Sequence, residues 1–467
     1  MTTSSISIRK LIDQTQAEYE KCWDFLASWK DGDRKPSRDE ILDFQPRLAS
    51  AIFNLGEIHE KIARERTSLI SRKNSLKPNW FKQRMKRLAA FQNALSEAIK
   101  IGRVIGDSFA WMFYQGERNR LRKHYLHEPI FKIPAGIGGR GELAFIKKFG
   151  IFNGHLLIYH GITSFLRIGD VSFWNPASNA ITAIGELKTG PATESGFGVR
   201  LYLIWPESSE ALWPRAKDHT DHLEMSNSRW RSEQHLGKQL KAMTAWLNLP
   251  RFKHVCEERH EMHFDEFNKV AERLKEKSSV VVKAGDGLLL VGLRHSQKQS
   301  LFTQLLPKRQ VNLNQQLNGI EEHARGIIDM TQVGSNNTNS FFIGTLDLVA
   351  FPGTAPILWW PVSSGFAREM IFHEVTITAI YNPAHLIRKL KAAGYDVNLK
   401  RTTMVVSRMI NDSSVVFSNI DHILVYVQRH LLREESVIKI FQRILDRIKQ
   451  ENLSPNTRID LDTQLFY

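Results

Sequence analysis

Cysteine is nearly absent from this chain: Cys22 and Cys256 are the two it has, and they lack metal-ligand spacing. That argues against a disulfide scaffold or a cysteine zinc site and predicts a reduced, cytoplasmic protein. Long apolar runs are missing as well. None approaches the ~18 to 20 residues that a membrane-spanning helix needs, and the first ten residues have no apolar core of a signal peptide. No membrane partner is expected. Acids are scarce in one region: from Lys61 to Lys123, 16 lysines and arginines stand against 4 aspartates and glutamates, a net of +12 in a chain of +15. Charge of that sign attracts polyanions. The glycine-rich stretch Gly136, Gly138, Gly139, Gly141 follows no strand signal and precedes no Lys-Ser or Lys-Thr, so it is not a P-loop.

Apolar residues make up 42% of the chain and aromatics 10%, enough to bury real cores across two to four domains. The expected class is a multidomain α/β protein. Residues 1–130 read as a basic helical bundle, with Ile52, Leu55, Ile58 and Ile62 on one face and Leu88, Phe91, Leu95 and Ile99 continuing the period. Pro36, Pro46 and Pro78 mark interruptions. Within this region Lys77, Trp80, Phe81, Lys82, Arg84, Lys86 and Arg87 interleave cations with aromatics. Such a mix grips phosphate and stacks on bases, or anchors on a membrane surface; we read it as nucleic-acid binding.

The chemistry concentrates further on. β-formers from Phe165 to Phe173 surround Asp170, turn residues occupy 175–179, and a second strand from Ile181 to Leu187 carries Glu186. Alternation puts Glu186 and Lys188 on one face of that strand and Leu187 on the other. A hairpin would bring Asp170 beside them. Two carboxylates and an ammonium at one spot suit a hard cation and the activation of water near a phosphate. His219 and His222, in the polar stretch 205–228, stand at i, i+3 with Asp218 and Asp221 but without the backing of other ligands, so a loop that approaches substrate is favoured there over a metal site.

An Asp, a variable gap and then Glu-x-Lys on the next strand resembles the PD-(D/E)XK nuclease superfamily, with Gly169 standing where the family name has proline. The resemblance covers residues 135–295 and implies a restriction-endonuclease-like core with a mixed sheet, placed here at 131–300. It extends to Glu142 as an acid on the preceding helix. It also extends to a glutamine on the helix from Trp230 to Met243, where Gln239 is the choice and Gln234 the alternative. Lys238 and Lys241 on that helix would face nucleic acid. The implied activity is Mg²⁺-dependent hydrolysis of DNA, with Mn²⁺ as substitute metal, RNA as the other polymer, and phage defence or restriction as the setting. Glu142, Asp170 and Glu186 would hold the metal, and Lys188 would stabilise the transition state. The rival reading is a binding or assembly protein whose core no longer cleaves.

After a polar connection at 334–340, a C-terminal α/β module is expected over 301–467. It would comprise strands at 341–351, 357–362 and 370–381, a helix at 383–393, a strand at 402–407 and one amphipathic segment from His422 to Gln450. That segment would dock on the module or on a second subunit, and a homo-oligomer is the expected assembly. Asp347, Glu374 and Thr376 echo Asp170, Glu186 and Lys188, which suggests a degenerate repeat of the nuclease-like core. The hairpin at 279–293 is expected to extend the sheet of the first core.

Overall fold

The computed structural model describes residues 5–33, 35–115, 117–126, 136–193, 196–204, 227–247, 261–295, 300–305, 342–346, 348, 355–400, 403–410, 413–418, 421–450 and 458–460. The chain divides into two compact units, residues 1–255 with 349–356 and residues 256–348 with 357–467. The boundary expected at 130 therefore falls inside the first unit. Twelve α-helices and three sheets are present among the described residues. No helix among them is long and apolar enough to cross a membrane.

Unit 1 opens with three long helices, α1 (Ser5–Asp31), α2 (Arg38–Ser71) and α3 (Pro78–Tyr114). Ser37 caps α2 by accepting from the Glu40 N–H, while the Glu40 carboxylate accepts from the Ser37 N–H at 2.9 Å. This capping box satisfies two donors that a helix start leaves orphaned. Pro36 lies between α1 and α2 and Pro78 sits in the first turn of α3, both as expected. Pro46 does not interrupt: α2 runs through it, because proline's fixed φ suits a helix and buried Phe44, Gln45, Leu48 and Ile52 hold both sides. Ile52, Leu55 and Ile62 are buried and Ile58 half-buried; Leu88, Phe91 and Leu95 are buried and Ile99 half-buried.

After α4 (Arg118–Leu126) and α5 (Ile137–Lys148) comes a five-stranded sheet in the order β1 (Ile151–Phe152), β2 (His155–Tyr159), β3 (Val171–Asn175), β4 (Ala180–Thr193), β5 (Gly196–Ile204). Every pairing in it is antiparallel, where a mixed sheet was expected. Consecutive strands pair throughout; β1–β2 and β3–β4 are joined by short turns, while the 160–170 loop, with a 3-10 turn at His160–Ile162, returns the chain from β2 to β3. α6 (Asn227–Leu247) completes the unit. Buried Arg120 ties it together, donating to the Ile181 carbonyl at 3.0 Å and the Leu247 carbonyl at 2.7 Å.

Unit 2 holds α7 (Phe264–Glu276), β6 (Ser279–Lys283), β7 (Leu288–Arg294), α8 (Leu301–Leu305), β8 (Phe342–Thr345), α9 (Ser364–Ile371), β9 (Val375–Tyr381), α10 (Ala384–Ala392), β10 (Asp396–Lys400), β11 (Thr403–Ile410), β12 (Ser413–Ser418), α11 (Asp421–Arg429), α12 (Glu434–Gln450) and β13 (Arg458–Asp460). One sheet runs β6-β7-β9-β8 and another β10-β11-β12-β13. The 279–293 hairpin thus belongs to unit 2 and does not extend the first sheet: β7 spends its free edge on β9, Leu288 to Arg294 against Tyr381 to Val375. Ile357–Trp359 is a 3-10 turn rather than a strand, and Met370 lies in the last turn of a helix that Ser363 caps and Ile371 ends. The segment from His422 to Gln450 breaks where Leu431 takes φ +61°, leaving two helices.

Candidate active site

β3 and β4 pair in the register Val171↔Gly185, which sets Asp170 against Glu186 at the open end of the hairpin. The Asp170 N–H donates to the Gly185 carbonyl at 2.8 Å. Residues 165–170, expected as strand, are irregular instead. Gly169 at φ +66° turns the chain just before β3, and a Cβ there would stand 2.9 Å from the Gly185 oxygen. Glycine is required for both reasons. On the other side, Gly141 lets α5 approach β4 so closely that a Cβ would strike Thr189 at 2.2 Å. That contact carries Glu142 to the same place.

Glu142, Asp170 and Glu186 are all buried, at 5%, 3% and 2% exposure. Each commits one oxygen to a donor of the protein. Lys188 Nζ donates to Glu186 Oε1 at 2.6 Å, the Leu187 N–H to Asp170 Oδ2 at 2.6 Å, and the Tyr159 hydroxyl to Glu142 Oε2 at 2.5 Å. The second oxygen of Glu186 is buried with no hydrogen-bond partner among the described residues. Burial pushes the Glu142 carboxyl up to about 7, with the Tyr159 hydrogen bond pulling it down and the charge of Glu186 pushing it further up. Asp170 is raised well above the usual carboxylate range by burial and by the negative charges of Glu186 and Glu142. The acids are therefore near enough to repel one another.

They are not drawn together into a closed cage: among the described residues no group of three His, Cys, Asp or Glu side chains stands ready to hold a metal. The donor set nonetheless fits a hard divalent cation. Its oxygens are carboxylate, Lys188 offsets the charge of only one of the three acids, and Glu186 Oε2 is an acceptor without a donor. Mg²⁺ keeps several waters and needs only one or two carboxylates directly, so an open arrangement suits it better than a cage.

Gln239 on α6 reaches the cluster, its Oε1 3.4 Å from Lys188 Nζ. Lys238 and Lys241 flank it, exposed. The side chain of Gln234 and the whole of His219 and His222 lie outside the described residues. Three residues went unread in the sequence. Tyr159 holds Glu142, and Tyr202 and Arg200 on β5 stand opposite Glu186 and Lys188. Directly opposed residues share a face, so exposed Arg200 adds a second cation beside Lys188. The strand period of β5 alone could have shown it, had its register been known.

A buried layer fixes the loop that ends in Asp170. His160 donates from Nδ1 to the Gly169 carbonyl at 2.9 Å, which leaves Nε2 to accept from the Ser172 hydroxyl at 2.5 Å. Ser172 in turn accepts from the Tyr114 hydroxyl at 2.6 Å. Burial lowers His160 to about 4, so it stays neutral. His124 Nδ1 accepts from the Ile168 N–H at 3.1 Å, and Asp107 accepts from the Ser164 N–H at 2.7 Å and hydroxyl at 2.6 Å.

In the basic run Lys77, Lys82, Lys86 and Arg87 are exposed, and Trp80 is 48% exposed. Arg84 is already engaged, ion-paired with Glu65 of α2 at 2.5 Å. In unit 2, Glu374 pairs with Arg368 at 3.0 Å and Thr376 lies on β9, while Asp347 lies outside the described residues. Comparison with protein families, with curated proteins and with solved structures finds no match to this chain.

Proposed function

We propose that unit 1 is a nuclease that hydrolyses DNA phosphodiester bonds with Mg²⁺, built on a restriction-endonuclease-like core. The observation that carries this reading is that Lys188 links Glu186 to Gln239 while Asp170 and Glu142 lie near enough to Glu186 to feel its charge, and Glu186 keeps one buried oxygen without a donor. A structural ion pair needs one acid for one lysine. Three mutually repelling acids cost stability unless a cation offsets them.

Glu142, Asp170 and Glu186 would hold the metal through the oxygens their protein donors leave spare. Bound there, Mg²⁺ would supply an acidified water and charge compensation on the scissile phosphate. Tyr159 keeps Glu142 in place, and the Leu187 N–H does the same for Asp170. Lys188, 36% exposed, presents an ammonium at the rim where charge develops on phosphate oxygens, and Gln239 steadies it. Exposed Arg200, Lys238 and Lys241 would contact neighbouring phosphates.

The test is a substrate panel. Plasmid, linear DNA and RNA are incubated with the purified protein in Mg²⁺, Mn²⁺ or EDTA. The expected result is DNA cleavage in either metal and none in EDTA. Binding without cleavage of any polymer in either metal would favour the rival, a core that binds but does not cut.

A further inference from the structure

α3 is embedded at one end and bare at the other. Buried residues run almost without a break from Val104 to Tyr114, and Asp107 there holds Ser164 in the loop that leads to Asp170. Residues 78–87, the start of the same helix, include none that is buried, and beyond Leu69 the end of α2 is bare too. The α2–α3 hairpin therefore ends in a solvated tip. From Lys61 to Arg87 the hairpin carries ten lysines and arginines and one acid, Glu65, which Arg84 occupies. Among the described residues Lys73, Lys77, Lys82 and Lys86 are exposed and make no ion pair. Four uncompensated ammonium groups on a rigid rod match a phosphate backbone. A lipid surface suits them less well. The apolar face of α3, with Leu88, Phe91 and Leu95, is spent inside the bundle, leaving only Ile70 and Trp80 as exposed large apolar groups at the tip.

We propose that this tip grips the backbone of double-stranded DNA at a distance from the three-acid site, so that the protein acts on duplexes long enough to reach both. Trp80 precedes Asp107 by 27 residues on one continuous helix, which is ~40 Å along its axis and about 12 base pairs at 3.4 Å each. The grip follows from the tip itself; the spacing rests on the reading of the three-acid site as the place of hydrolysis.

The experiment measures binding and cleavage separately on duplexes of 8, 16, 24 and 32 base pairs. It uses the full chain and a Lys73→Gln, Lys77→Gln, Lys82→Gln, Lys86→Gln variant, whose unchanged thermal melt checks the fold. Binding is followed by fluorescence anisotropy in EDTA at several salt concentrations. The wild type should bind 16 to 24 base pairs far more tightly than 8 and gain little beyond. The variant should lose that gain, and its slope of log K against log salt should fall by about 3 to 4 units, ~0.9 for each lost phosphate contact. In Mg²⁺ the variant should cut 8 and 24 base pairs alike, while the wild type prefers 24. Length-dependent binding with no cleavage at any length would uphold the grip and overturn the three-acid reading. A variant that binds 24 base pairs with wild-type affinity and salt slope would overturn the grip. So would a wild type that binds phosphatidylserine vesicles more tightly than duplex, with the variant losing only the vesicles.

Discussion

Replacing Lys188 with alanine removes an ammonium held at 2.6 Å from one buried carboxylate and 3.4 Å from Gln239. Cleavage should fall on the order of 10²- to 10³-fold, as when one preorganised donor is taken from developing charge. Fold and DNA affinity should change little, because the group is partly exposed and one of several cations. A Mg²⁺ ion bound at this site would compete with the proton on Glu142. Its carboxyl, raised to about 7, carries a proton below that pH, so Mg²⁺ affinity should tighten from pH 6.5 to 8 with proton release, read by calorimetry in buffers of different ionisation enthalpy. Stability follows the opposite sign. A carboxyl whose folded pKa is raised contributes stability that is full below its ordinary value of 4.5 and is lost as pH rises from there through about 7. The metal-free protein should therefore melt lower at pH 8 than at pH 6.5, and saturating Mg²⁺ should narrow the gap. Asp107, also pushed to about 7 by burial, adds a share of the same sign that the metal does not relieve. Gly169→Ala meets both a left-handed backbone and the Gly185 oxygen. It should cost on the order of 1–3 kcal/mol by chemical denaturation and displace Asp170.

Among the elements, β2 depends on a side chain from another layer. Buried Gln45 of α2 donates to the Leu157 carbonyl at 2.6 Å and accepts from the Tyr159 N–H at 2.7 Å, as a neighbouring strand would. Gln45→Leu keeps the bulk and orphans both groups. It should destabilise by about 2–6 kcal/mol in urea unfolding, since each unpaired buried group costs about 1–3 kcal/mol. What could be read in the sequence follows from period and turn chemistry. Alternation places Glu186 and Lys188 on one face and turn residues at 175–179 place the hairpin, whereas Gln239 on α6 is singled out by the nuclease resemblance and not by spacing. What escaped depends on contacts far along the chain. Residues 165–170 have β-forming composition, yet His124, Asp107 and His160 hold them as a loop. The 279–293 hairpin was read correctly as a hairpin, but its partner β9 lies some eighty residues onward, beyond the reach of local pattern. Tyr159 has the pattern of an ordinary strand aromatic, and its role depends on Glu142, seventeen residues earlier on α5, which accepts from its hydroxyl.

At the scale of the whole molecule, the two units differ in how their strands connect. In unit 1 the strands flanking the acids, β3 and β4, are consecutive and share a tight turn. In unit 2, β8 pairs with β9 in the register Thr345↔Thr378, but α9 stands between them in sequence and β7 takes the other edge of β9. Glu374 is neutralised by Arg368 and has no lysine two residues on. Glu374→Gln should accordingly leave cleavage unchanged and cost no more than about 1 kcal/mol, the scale of a partly exposed ion pair. Loss of cutting in a folded Glu374→Gln protein would place chemistry in unit 2. Hydrolysis by unit 1 is tested most directly by nicking of supercoiled plasmid in Mg²⁺. Wild type would be compared with Asp170→Ala, Glu186→Ala and Lys188→Ala proteins whose circular dichroism shows them folded. Metal-dependent nicking is expected of the wild type, and none above background of any of the three. Three folded variants that all nick at the wild-type rate would contradict hydrolysis at these residues.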